Sequence, residues 1–147
     1  MQLTIEQIET EWSEDSKIDR TNLNVDSSQQ LHLHSKYHKM LNHVKRRLRP
    51  LQNERIRLLQ LKHDYYSKEM PPQQQKELGW EPVKRVIIKT DIARFIEADQ
   101  DVINLNLQIG DLVDMVDFLE SIIKSIYQKP FIIKNIIENN KFANGIN

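Results

Sequence analysis

Residues 102–126 read VINLNLQIGDLVDMVDFLESIIKSI. Val102, Leu105, Ile109, Leu112, Val116, Leu119, Ile123 and Ile126 recur at alternating steps of three and four. That period lays a narrow, coiled-coil-like apolar stripe along one side of an α-helix. Asp111, Asp114, Asp117, Glu120 and Lys124 fall between the stripe positions, so the most apolar stretch of the chain is too charged to span a bilayer. Val113, Met115, Phe118 and Ile122 add a second apolar set, wider than one neighbouring helix would cover. The excess predicts self-association, with the eight stripe residues as the oligomerisation surface. Pro130 is expected to restart a terminal helix carrying Phe131, Ile133, Ile136 and Ile137, which Gly145 stops.

Working outward, helix is expected nearly everywhere, because glycine occurs only at positions 79, 110 and 145 and strand-like alternation is scarce. The fold class is all-α, with long helices. Thr4 and Gln7 match a capping box for a short acidic helix that buries Ile5, Ile8 and Trp12. A second helical segment runs from about Thr21 to Ser67. Its seam is Tyr37, Leu41, Val44, Leu48, Leu51, Arg55, Leu58, Lys62 and Tyr65, and Pro50 predicts a kink or a break near Arg49. Met70–Gln75 reads as a proline-containing loop ending near Pro82, Val86-Ile87-Ile88 as one short isolated strand, and Asp91 as the cap of a short helix. The expected organisation is 1–67 for an acidic helix plus a basic helical region, 68–90 for a linker, and 91–147 for a C-terminal oligomerisation region.

The 147 residues carry 21 basic and 21 acidic side chains, a formal net charge of zero. The distribution matters more than the total. Residues 1–30 hold seven acids against Lys17 and Arg20. Residues 31–66 reverse this, with Lys36, Lys39, Lys45, Arg46, Arg47, Arg49, Arg55, Arg57 and Lys62 against Glu54 and Asp64 alone. All five histidines share that window, and Tyr37, Tyr65 and Tyr66 flank its charges. Local acids cannot neutralise these cations, and phosphate contacts combined with base stacking are how single strands are held. We read the nine cations as contacts to single-stranded nucleic acid, with Tyr65 and Tyr66 either stacking on bases or packing in the core.

Cysteine is absent, which excludes disulfides and thiolate metal sites and is compatible with a reducing compartment. Residues 1–6 lack a basic start followed by an apolar run, so no secretory signal is expected, and the chain reads as soluble and intracellular. Glycine-rich phosphate loops, nucleophile elbows and zinc-protease helices are all missing, so no enzyme and no cofactor are expected. His34 and His38 lie one helical turn apart, and His43 is close by in sequence. Lys36, Lys39 and Lys45 surround them and would oppose a divalent ion, so no metal site is assigned. Asp111, Asp114 and Asp117 read as the ordinary polar edge of a helix.

Several short elements then resemble, in order, the UvsY family of recombination mediators from T4-like bacteriophages. They are Ile18-Asp19-x-Thr21-x-Leu23, Ser35-Lys36-Tyr37, Asp64-Tyr65-Tyr66-Ser67, Ala98-Asp99-x-Asp101-Val102 and Phe131-x-Ile133-Lys134-x-Ile136. The resemblance implies a homo-oligomeric ring of roughly six or seven subunits. Such a ring binds single-stranded DNA, helps displace the single-strand DNA-binding protein and loads a RecA-like recombinase in the cytoplasm of the infected bacterial host. It also implies DNA contacts just before the Asp-Tyr-Tyr element, here Arg55, Arg57 and Lys62. Gln60 stands where the family has a lysine, and Pro50 is an addition within the helix.

Two other readings compete. A structural helical adaptor would dock its basic helix on an acidic protein partner, its own N-terminal segment among the candidates. A metal-dependent nuclease would lose activity to a chelator.

Overall fold

The structure, a computed structural model, describes residues 2–17 and 29–145. The element resembling Ile18–Leu23 and the start of the second helix near Thr21 lie outside them. Helix α1 spans Ile5–Asp15, α2 Gln30–Tyr66, α3 Pro72–Leu78, α4 Ile92–Glu97 and α5 Gln100–Ala143, with a 3-10 turn at Lys89–Asp91 before α4. No strand occurs among the described residues. The fold is therefore all-α.

The chain forms two compact units: a terminal unit, Met1–Arg46 with Val113–Asn147, and a central unit, Arg47–Leu112. This spatial clustering differs from the chain-order division at 67 and 90, because α2 and α5 each contribute to both units.

In the terminal unit Thr4 caps α1 as its sequence implies. Its hydroxyl accepts from the Gln7 N–H at 3.3 Å, and Gln7 Oε1 accepts from the Thr4 N–H at 3.0 Å. Helix α1 docks on α2 through Trp12, edge-on to Tyr37 with ring centroids 5.4 Å apart. Side-chain contacts between α2 and α5 run in opposite senses, Gln30 meeting Ile126 and Lys45 meeting Glu120, so the helices are antiparallel here. Ile8, Leu33, Tyr37, Leu41 and Val44 are buried, together with Met115, Leu119, Ile122, Ile123, Ile126 and Ile133.

Six of the eight stripe residues are thus covered by the chain itself: Val102, Leu105, Leu112, Leu119, Ile123 and Ile126 are buried, while Ile109 and Val116 are half-buried. The physical reason is that α2 offers a matching seam within the same chain, so the stripe's first partner is intramolecular. Large apolar groups that remain exposed include Tyr127, Phe131, Ile132 and Phe142 near the end of α5.

Neither internal proline ends its helix. Helix α2 runs unbroken through Pro50, and α5 through Pro130 rather than restarting there. A proline removes the N–H that would bond the carbonyl four residues back. At Pro50 that carbonyl belongs to Arg46, and both residues are exposed, so water can serve it. At Pro130 it belongs to Ile126, a buried residue, and Gln30 Nε2 donates to this very oxygen from α2. A cross-helix amide therefore supplies the donor that proline withholds. Replacing Gln30 by methionine is expected to cost about 1 kcal/mol more with Pro130 present than with alanine there, whose own N–H makes the side chain redundant. Urea unfolding of the four proteins measures that coupling.

In the central unit α2 ends in a turn where Lys68 takes φ +65° and the Asp64 carbonyl accepts from Glu69 N–H at 2.9 Å and Met70 N–H at 3.0 Å. The stretch read as a loop, Met70–Gln75, instead starts α3. Pro72 occupies the first turn, where its missing N–H costs nothing, and the glutamines that follow are good helix formers. Gly79 closes α3 at φ +73°, the left-handed geometry that glycine adopts freely. Residues 80–88 carry no regular structure, with a bend at Arg85. Asp91 occupies the cap position of α4 but makes no side-chain capping bond; its carboxylate lies 3.7 Å from Arg94. In this unit also α2 and α5 are antiparallel, Arg55 meeting Asn106 and Lys62 meeting Asp101.

Candidate nucleic-acid interface

Helical geometry sorts the nine cations of α2 by where they point. Positions 37, 41, 44 and 48 are buried, so residues about half a turn away face solvent. In the terminal unit that places Lys39 and Arg46, two turns apart, on the exposed side, and in the central unit Arg49 and Arg57. None of these four makes an ion pair among the described residues. Arg55 is exposed and donates from Nε to Asn106 Oδ1 at 2.8 Å, leaving the rest of its guanidinium open. Lys45 lies 3.9 Å from Glu120 across exposed surface, a contact worth little in water. Arg47 is half-buried.

Lys36 belongs to a structural cluster instead. Its ammonium lies 2.6 Å from Asp15 Oδ2 and 3.2 Å from Glu11 Oε2, pinning the acidic α1 to α2. Tyr37 donates its hydroxyl to the same Asp15 oxygen at 2.8 Å. Burial alone would raise the Asp15 carboxyl, but the hydrogen bonds from Lys36 and Tyr37 outweigh it and hold it below the ordinary carboxylate range. Burial likewise opposes the charge on Lys36, and the bonds to Asp15 and Glu11 more than offset that, raising its pKa.

Lys62 departs furthest from the sequence reading. Its side chain is 4% exposed, with Nζ 3.1 Å from Asp99 Oδ2, 2.9 Å from Asp101 Oδ2 and 3.7 Å from the centre of the Trp80 ring. Two carboxylates and an aromatic face occupy this ammonium, which takes Lys62 out of the exposed set. The reason lies in the seam: position 62 falls on the buried side of α2, where a cation is tolerated only when paired.

Asp99 ties the site to the backbone. Its Oδ1 accepts from the N–H groups of Asp101 at 2.9 Å and Val102 at 3.2 Å, capping α5, while Oδ2 accepts from Tyr66 at 2.5 Å. Burial pushes this carboxyl up, yet the bonds from Tyr66, Lys62 and the Val102 N–H prevail and lower its pKa. Burial and the same bond to Asp99 push the Tyr66 hydroxyl well above its usual range, so it stays a neutral donor.

Tyr65 and Tyr66 are half-buried, their rings 5.0 Å apart and edge-on. Tyr65 also sits 5.2 Å from Trp80 and donates to the Glu81 carbonyl. Both rings therefore pack inside the central unit. Sequence reasoning missed this constellation, although Asp64-Tyr65-Tyr66 and Asp99-x-Asp101 both stood out in the sequence. Among the histidines, His34 Nε2 lies 2.7 Å from the Tyr127 hydroxyl and its ring 4.3 Å from His38.

The family model for UvsY, described as recombination, repair and ssDNA binding protein, matches residues 11–146. No curated protein matches the chain. Crystal structures of the bacteriophage T4 recombination mediator protein UvsY share the fold. The lattice type II form superimposes with a TM-score of 0.85 at 21% identity, covering 97% of this chain and 98% of that one. The lattice type IV form gives 0.79 at 20% identity over 96% and 99%, and the lattice type I form 0.80 at 21% over 92% and 97%.

Proposed function

Because the chain belongs to the UvsY family, we propose that it is a non-enzymatic recombination mediator that binds single-stranded DNA as a homo-oligomer. It would help displace the single-strand DNA-binding protein and load a RecA-like recombinase in the infected bacterial cell. The observation that carries this reading is the set of exposed cations on α2, Lys39, Arg46, Arg49 and Arg57, that no carboxylate among the described residues neutralises in a chain of zero net charge. Arg55 extends the set, while Lys45, 3.9 Å from Glu120, and the half-buried Arg47 lie beside it. Lys36, Lys62, Tyr65 and Tyr66 hold the fold around it.

A few phosphate contacts per subunit bind weakly at physiological salt, and repetition around an oligomer multiplies them along one strand. The stripe residues would act in assembly by building the core that presents Tyr127, Phe131, Ile132 and Phe142. The adaptor reading draws support from one observation, the docking of Glu11 and Asp15 on Lys36, which puts a carboxylate-bearing helix on the basic one.

Titrating labelled oligothymidylate at increasing salt separates the two. For the Arg49→Ala, Arg57→Ala double variant, affinity should fall and the slope of log affinity against log salt should flatten by about 0.7 for each phosphate that is no longer neutralised. Unchanged affinity and slope would favour the adaptor.

A further inference from the structure

The segment between α3 and the 3-10 turn is unlike the rest of the molecule. From Val83 to Ile88 no backbone N–H finds a hydrogen-bond acceptor among the described residues, and the carbonyls from Pro82 to Ile87 receive no donor. Buried backbone would not tolerate this, but exposed backbone stands ready to pair. The composition is strand-forming, with Val83, Val86, Ile87 and Ile88. Ile87 turns inward and is half-buried, whereas Val86 is 82% and Ile88 66% exposed. Lys84, Arg85 and Lys89 are exposed around them, and none makes an ion pair among the described residues. Arg85 rests its guanidinium 4.8 Å from the Phe95 ring, which leaves the charge in place.

We propose that Val83–Ile88 is a docking strand for an acidic, extended segment of a partner polypeptide. That segment would pair its backbone along this one, cover Val86 and Ile88, and set its carboxylates against Lys84, Arg85 and Lys89. Charge decides against the same segment of a second copy, because cations would then oppose cations across the pair. Chemistry favours a polypeptide over a nucleic acid: a phosphate backbone could meet the cations but would leave the unpaired backbone groups and the exposed Val86 and Ile88 without a partner. The cations thus both reject like strands and select acidic ones. The bend at Arg85 limits the unbroken edge to a few residues, so charge should carry much of the affinity.

The test uses the full chain and a fluorescent peptide alternating glutamate and valine, followed by polarisation, with a lysine–valine peptide and oligothymidylate as comparisons. The glutamate–valine peptide should bind saturably and the lysine–valine peptide should not. Lys84→Glu with Arg85→Glu should weaken the acidic peptide at least about tenfold while sparing oligothymidylate. Amide hydrogen exchange on the unmodified protein should slow across Val83–Ile88 when that peptide is added. Equal binding of both peptides, unslowed exchange, or a charge reversal that spares the peptide would overturn the proposal. So would a reversal that abolishes oligothymidylate binding instead, since the surface would then serve nucleic acid.

Discussion

Replacing Asp99 by alanine is expected to lower stability by about 3–5 kcal/mol, the usual cost of leaving a buried ion pair without one partner. Lys62 would keep only Asp101, whose side chain is 54% exposed, and the first turn of α5 would lose the cap that Asp99 Oδ1 provides. Asp99→Asn should cost less, because an amide oxygen can still cap. The two variants therefore divide the effect between charge and cap in a denaturant titration.

The same carboxylate sets an acid limb. Its folded pKa lies below the ordinary value of 3.8, so the stability it contributes is present above that value and disappears as pH falls through the lowered one. Asp15 acts in the same sense in the terminal unit. Loss of stability on acidification should consequently be shallower in Asp99→Asn than in the unmodified protein.

The second large effect concerns Leu119, which is fully buried in the terminal unit. Leu119→Ala should destabilise the protein by about 2–5 kcal/mol, the range for a large side chain removed from a packed core. The loss should be independent of protein concentration, because the chain covers Leu119 itself. A residue lying between subunits would behave differently, since its loss would show up as weaker association and fade at high concentration. Phe131, 70% exposed, supplies the contrast: Phe131→Ala should leave the subunit's stability within about 0.5 kcal/mol and alter the oligomer seen in sedimentation.

Periodicity carried most of the fold. The α5 stripe and the α2 seam announced two long helices, and Thr4 with Gln7 announced the first cap, because these signals are local. What sequence spacing could not convey is which partner a face finds. The α5 stripe reads the same whether its complement is a second copy or α2, and here the chain covers it. Pro130 misled for a related reason: its remedy is Gln30, about a hundred residues away in sequence, and no local rule reports it.

The cations divide along similar lines. Counting charge located the basic segment, and helical phase separates Lys39, Arg46, Arg49 and Arg57 from Lys62. The partners of Lys62, Asp99, Asp101 and Trp80, come from two other stretches of chain, so its burial was invisible to a count. At 83–89 strand propensity marks Val86-Ile87-Ile88, but propensity alone does not report that Lys84, Arg85 and Lys89 stand exposed beside them.

Lysine acetylation read out by mass spectrometry, with and without oligothymidylate, tests the division of labour on α2 without altering a residue. Lys39 should react freely and become protected when DNA is added, Lys62 should resist the reagent in both states, and Lys84 and Lys89 should react equally in both. A Lys62 that reacts in the free protein and is shielded by DNA would contradict the account, because the ammonium held here by Asp99 and Asp101 would then be a phosphate contact.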